Sequence, residues 1–121
     1  TSERILVVDD EPQIQRFLKP ALSAAGYEVV EAMNGADALK AVATVAPDLV
    51  ILDLGLPDMD VKDVISSLRG WSDIPIVILS ARDRESEKIA ALDLGADDYI
   101  EKPFGIGEGE VKAESAQPAT A

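Results

Sequence analysis

Four apolar runs in this sequence end on residues that can do chemistry. Ile5-Leu6-Val7-Val8 runs into Asp9 and Asp10, and Leu49-Val50-Ile51-Leu52 ends on Asp53. Ile76-Val77-Ile78-Leu79 ends on Ser80, and the short Asp98-Tyr99-Ile100-Glu101 segment leads into Lys102-Pro103. A buried strand needs side chains like the apolar ones, but it cannot keep an unpaired charge. Asp53 therefore belongs at the carboxyl end of its strand. If the four ends meet, three carboxylates share one crevice and repel one another. A hard divalent cation relieves that conflict, and all-oxygen ligands suit Mg²⁺ (or Mn²⁺). Mg²⁺ usually takes only one or two carboxylates and keeps waters that phosphate oxygens can replace. Ser80 adds a hydroxyl donor and Lys102 a positive charge. Together these are the parts for phosphoryl transfer to an oxygen. Asp53 is the natural acceptor, and its product is an acyl phosphate.

The elements that must bring these residues together follow from hydrophobic period. Strands are expected at 4–9, 27–32, 48–53, 75–80 and 98–101, with helices at 12–25, 35–46, 61–70 and 84–94. Ile14, Phe17, Leu18 and Leu22 have the spacing of a helix's core stripe. Gly26 and Gly95 are the expected terminators of the first and fourth helices. Strands alternating with helices imply right-handed βαβ units and a mainly parallel sheet. In such a sheet all carboxyl ends share one edge, and ligands bind along it where the strand order switches. Asp9, Asp10, Asp53, Ser80 and Lys102 would then converge from distant parts of the chain. Lys102 alone would be a solvated lysine, Ser80 alone a strand-end hydroxyl, and Tyr99 alone half-buried core. Their order around Asp53 gives them meaning.

Composition narrows the field. The 121 residues suit one domain, and 47% hydrophobic content supplies a core. The absence of cysteine and histidine excludes disulfides, the usual zinc sites, thiol nucleophiles and imidazole bases. A net charge of −12 gives no electrostatic case for binding nucleic acid or an anionic membrane. No apolar stretch approaches the ~18 residues of a membrane span, and no signal peptide opens the sequence, so a cytoplasmic protein is expected.

Val7-Val8-Asp9-Asp10, Asp53-Leu54-Gly55-Leu56-Pro57, Leu79-Ser80-Ala81 and Gly95-Ala96-Asp97-Asp98-Tyr99-Ile100-Glu101-Lys102-Pro103-Phe104 are ordered motifs. Over residues 4–107 they resemble the receiver domain of bacterial two-component response regulators. The resemblance implies a doubly wound α/β fold, a five-stranded parallel sheet of order 2-1-3-4-5. It implies a sensor histidine kinase as partner and a phosphorylation-dependent switch controlling transcription. It makes Asp53 the phosphoacceptor. Asp10 and Asp53 would bind Mg²⁺ directly, Asp9 through water, and Gly55 through its backbone carbonyl. Lys102 would contact the phosphoryl group, Ser80 would turn toward it, and Tyr99 would report it by changing rotamer. Lys102-Pro103 is the expected site of a cis peptide. Trp71, Gly55, Ile74-Pro75 and Phe104-Gly105-Ile106-Gly107 narrow the resemblance to regulators of Kdp potassium-uptake systems, within the transcription-factor branch.

Three features depart from that pattern. Residues 108–121 have one large apolar residue, Val111, so a receiver over 1–107 followed by a disordered tail is expected, with the fifth helix absent or degraded. The family's homodimers pair through the fourth helix, fifth strand and fifth helix. Lys88, Asp93 and Asp97 or Asp98 are where charged dimer contacts would fall; Glu108 and Lys112 could supply partners, but no basic residue follows Lys112. Pairing by this surface is expected to be weak. Pro20 falls inside the first helix at a usual cost of about 3 kcal/mol and suggests a kink near residues 16–20. Val61 stands where the family usually has glycine, which would reshape the start of the third helix.

Two other functions remain open at this point. A haloacid-dehalogenase-like phosphatase also uses a nucleophilic Asp, a hydroxyl, a Lys and Mg²⁺. However, its nucleophile lies on the first strand with a second acid two residues on, and here that position is Gly55. A non-signalling scaffold of receiver fold would not need the acidic, hydroxyl and lysine positions intact. Nucleotide binding at Gly105-Ile106-Gly107-Glu108-Gly109 is weak, because no Walker lysine accompanies the glycines.

Overall fold

The computed structural model describes residues 3–80 and 85–101. Five strands, β1 (Arg4–Val8), β2 (Glu28–Ala32), β3 (Leu49–Asp53), β4 (Ile76–Ser80) and β5 (Asp98–Glu101), alternate with four helices. The helices are α1 (Pro12–Ala24), α2 (Gly35–Val45), α3 (Val61–Arg69) and α4 (Glu85–Leu94). The sheet order is β2-β1-β3-β4-β5 and every pairing is parallel. This is the expected flavodoxin-like topology. Among the described residues, no helix is long and apolar enough to cross a membrane.

Period-two alternation along the strands divides the core between the two faces of the sheet. Leu6, Val8, Val50, Leu52, Ile76 and Ile78 pack with residues of α2, α3 and α4. Ile5, Val7, Ile51 and Leu79 point the other way and pack with Ile14, Leu18 and Leu22 of α1. The central strands are buried on both sides, which is why they read as unbroken apolar runs. β5 is an edge strand, and Ile100 on it is 51% exposed.

Phe17 does not belong to the core stripe; it is 48% exposed. At about 100° per residue, Ile14, Leu18 and Leu22 lie within roughly 80° of arc, and Gln15 falls just past Leu22. Phe17 falls about 60° beyond Ile14 on the opposite side. The helix thus turns Gln15 inward and Phe17 outward. α1 also runs through Pro20 as one continuous helix. Val61 is the first residue of α3 and is buried in the larger core, while Asp60 caps the helix through Lys62 N–H.

Arg69 ties the end of α3 to the strand edge. Its guanidinium donates to the carbonyls of Gly95, Ser72 and Ile74 and pairs with Asp97 at 3.1 Å. Asp97 also accepts from Ile76 N–H at 2.8 Å, so β4 and the turn into β5 are held together. Gly95 ends α4 at φ +125°, and a Cβ there would lie 3.0 Å from the Arg69 side chain. Gly95→Ala is therefore expected to destabilise the domain by at least about 1–2 kcal/mol, the ordinary left-handed penalty. Urea denaturation checks this, with Gly70→Ala as a control at an ordinary φ.

Candidate functional site

Because all the strands are parallel, β1, β3 and β4 deliver their last residues to one edge. Asp9 follows β1, Asp53 is the last residue of β3 and Ser80 the last of β4. Asp9 and Ser80 are fully buried, Asp53 is 3% exposed, and Asp10 is the most open of the group. One carboxylate oxygen from each of Asp9, Asp10 and Asp53 lies within 4.8 Å of the other two. Three unit charges so close repel by roughly 3–4 kcal/mol per pair at the effective dielectric of a protein site. An all-oxygen set of this spacing and sign fits a hard divalent cation such as Mg²⁺.

Backbone donors aim two of the three acids. Glu11 N–H donates to Asp9 Oδ1 at 2.9 Å, and Gly55 N–H donates to Asp53 Oδ2 at 3.1 Å. Leu54 N–H donates to the Leu79 carbonyl at 3.2 Å, continuing the β3–β4 ladder one residue past Asp53. Asp53 is therefore held by the ladder on both sides of its own residue. Ser80 pairs in register with Glu101, one strand further out. Lys102, the Lys102-Pro103 bond and the tail lie outside the described residues. Of the sequence-predicted site residues, Asp9, Asp10, Asp53, Gly55 and Ser80 gather at this edge. Tyr99 lies on β5 opposite Ile78, further from the carboxylates.

Tyr99 has a companion that sequence pattern placed elsewhere. Lys88 of α4 is not on the surface; it is 1% exposed. Its ammonium lies 4.4 Å from the Tyr99 ring centroid and pairs with Glu101 at 3.2 Å and Glu85 at 3.3 Å. Burial pulls its pKa down, but the hydrogen bonds and charges of Glu101 and Glu85 outweigh burial and hold it above the ordinary lysine value. Lys88 is thus engaged within the chain rather than offered as a surface charge for a dimer, whereas Asp97 pairs with Arg69 but keeps an exposed side chain. Asp93 and Asp98 remain exposed.

The loop between β3 and α3 walls the crevice and is anchored through Asp58. Its carboxylate accepts from Gly35 N–H at 2.8 Å and Ala36 N–H at 3.0 Å, the open amides at the start of α2. Those two hydrogen bonds hold the Asp58 carboxyl below its usual pKa. Residues 54–62, which follow Asp53 in sequence, line an open cleft of about 480 Å³ with Glu87 of α4. Asp58 and Gln15 were not singled out by sequence pattern. A helix-capping carboxylate distant in sequence and a buried glutamine leave no local signature.

The family model for the response regulator receiver domain matches residues 5–114. The transcriptional regulatory protein KdpE of Mycobacterium tuberculosis is 57% identical over 104 residues, 86% of this chain and 46% of that protein. The KDP operon transcriptional regulatory protein KdpE of Escherichia coli gives the same figures, 57% over 104 residues. The chain spans about half the length of these curated relatives. Among solved structures, the BeF3-activated N-terminal receiver domain of Klebsiella pneumoniae RstA superposes with a TM-score of 0.79 at 31% identity, covering 95% of this chain and 96% of that one. A putative response regulator from Chloroflexus aurantiacus gives 0.81 at 32% identity, covering 97% and 95%.

Asp58 supplies a pH test. Its folded pKa is lowered, so its contribution to stability is complete above the ordinary carboxylate pKa and is lost as pH falls through the folded value. Asp58→Asn is expected to lower the melting temperature at neutral pH. The gap to the parent protein should close on acidification below about pH 4. Thermal melts from about pH 2.5 to about pH 7 measure both.

Proposed function

The chain belongs to the response regulator receiver family, and from that premise we propose that Asp53 takes a phosphoryl group from a sensor histidine kinase. Family membership makes it a receiver of two-component signalling rather than a turnover enzyme. The observation that carries the residue assignment is the carboxylate cluster at the sheet edge, with Asp53 at the end of a doubly buried strand. In the proposed step, an Asp53 carboxylate oxygen attacks phosphorus, the phosphorus–nitrogen bond of the kinase's phosphohistidine breaks, and the leaving nitrogen takes a proton from water. Mg²⁺, when bound, offsets the charge of the carboxylates and of the phosphoryl oxygens. Asp10 and Asp53 would hold it directly, Asp9 through water and Gly55 through its carbonyl. Ser80 donates its hydroxyl to a phosphoryl oxygen, Lys102 pairs with another, and Tyr99 reports the change by moving against Lys88. This reading puts the protein in the cytoplasm, without direct contact to nucleic acid by this chain. The relatives named as transcriptional regulators support transcription as the output of the whole protein.

Phosphodonor treatment tests the site. Acetyl phosphate with Mg²⁺ is expected to add the mass of one phosphoryl group to the folded protein, and EDTA or Asp53→Asn to abolish the gain. Lys102→Ala is expected to slow the reaction about 10²-fold, the usual loss for one charge-stabilising donor. No mass gain on the folded parent protein would remove the assignment.

The output surface reads differently. Ile89 and Leu92 of α4 are exposed, but Lys88 is buried, the exposed Asp97 already pairs with Arg69, and residues 108–121 hold few apolar or basic partners. We propose that pairing through α4, β5 and the residues after them is weak. Sedimentation velocity with beryllofluoride and Mg²⁺ is expected to show mainly monomer, and a tight activation-dependent symmetric dimer would contradict it.

A further inference from the structure

Gln15 is buried at 5% exposure on the inward face of α1, where an apolar side chain would fill the space at lower cost. Its Nε2 reaches three carbonyl oxygens, those of Val7 at 3.1 Å, Asp9 at 3.1 Å and Ala32 at 3.2 Å. Those carbonyls sit at the carboxyl ends of β1 and β2, where the ladder between the strands runs out. An amide nitrogen has only two hydrogens, so the three acceptors share them. Among the described residues, Gln15 Oε1 is buried with no hydrogen-bond partner. A side chain kept only for packing would not bury an unsatisfied oxygen, so what fits this site is the donor end.

The Asp9 peptide is consequently held at three points. Its N–H donates to the Ala32 carbonyl at 3.1 Å, its carbonyl accepts from Gln15, and its Oδ1 accepts from Glu11 N–H at 2.9 Å. Gln15 N–H in turn donates to the Glu11 carbonyl at 3.3 Å, so the first turn of α1 and the acidic turn are wired together. Asp10 lies between these two fixed residues. We infer that Gln15 is a positioning residue for the divalent-cation site. It acts through the backbone of Asp9 and so sets where the carboxylates of Asp9 and Asp10 stand relative to Asp53. The inference rests on the cation-assisted phosphoacceptor reading above and adds a residue that touches neither cation nor phosphoryl group.

Calorimetric titration with Mg²⁺ on the full chain tests it, with thermal melts on the same samples. Gln15→Met keeps length and removes the donors; Gln15→Asn keeps the amide but shortens its reach. Both are expected to weaken Mg²⁺ binding about tenfold or more, the usual effect of removing a group that orients a metal ligand. Leu22→Ala, on the same helix two turns away, is expected to lower the melting temperature and leave Mg²⁺ affinity unchanged. Mg²⁺ affinity within twofold of the parent in either folded Gln15 variant would overturn the inference. So would an equal loss of affinity in Leu22→Ala, which would mark general loosening of α1. If the parent protein itself binds no Mg²⁺, the cation reading fails first and the inference with it.

Discussion

Carboxylates repel, and this fold forces three of them together. Their oxygens lie within 4.8 Å of one another at the end of a parallel sheet, with two of the three side chains almost fully buried. The parallel arrangement is what makes this unavoidable. Once β1 and β3 are neighbours pointing the same way, the residue that ends one must stand beside the residue that ends the other. The apolar runs that drive the strands into the core therefore also drive the acids into contact. Hydrophobic burial over two faces of the sheet supplies the energy, and the charge conflict at its edge is the functional residue of that process. A cation and a phosphoryl group are chemical partners that turn the conflict into binding.

A site under such strain needs its backbone fixed, and three long-range side chains do this from different directions. Gln15 ties the ends of β1 and β2, Asp58 ties the loop after β3 to the start of α2, and Arg69 ties α3 to the turn before β5. Each satisfies backbone groups that end-of-element geometry leaves open. None of the three belongs to the carboxylate cluster itself. Lys88 occupies a comparable place further out, buried against Tyr99 and Glu101. It joins α4 to β5, so movement of Tyr99 would be felt by a buried ammonium and its half-exposed carboxylate partner.

Much of the fold was legible in the sequence because period and strand-end chemistry agree. All nine described elements lie within a residue of the expected bounds at each visible end, and the sheet order follows the family pattern. The acids were legible for the same reason: a charge closing an apolar run has few places to go. The parts that pattern misplaced are those set by tertiary packing. Phe17 fits the helical stripe by spacing but faces outward, because the buried arc of α1 is rotated toward a polar residue, Gln15. Lys88 reads as a surface charge on an amphipathic helix, yet it is buried, with Tyr99 and Glu101 of β5 against it as well as Glu85 of its own helix. Asp58 sits in a loop of ordinary turn composition, and its role depends on amides more than twenty residues earlier. Pairing across such separations has no local period to read.

The central claim is chemical and local: the phosphoryl group resides on one carboxylate of the cluster. An aspartyl phosphate is an activated acyl group, so borohydride reduces it to the alcohol with loss of phosphate, converting that residue to homoserine. Peptide mass spectrometry after phosphodonor treatment and reduction then reads its position. Homoserine is expected at position 53, with Asp9 and Asp10 unmodified; modification at position 9 or 10, or phosphate retained on Ser80, would contradict the assignment to Asp53.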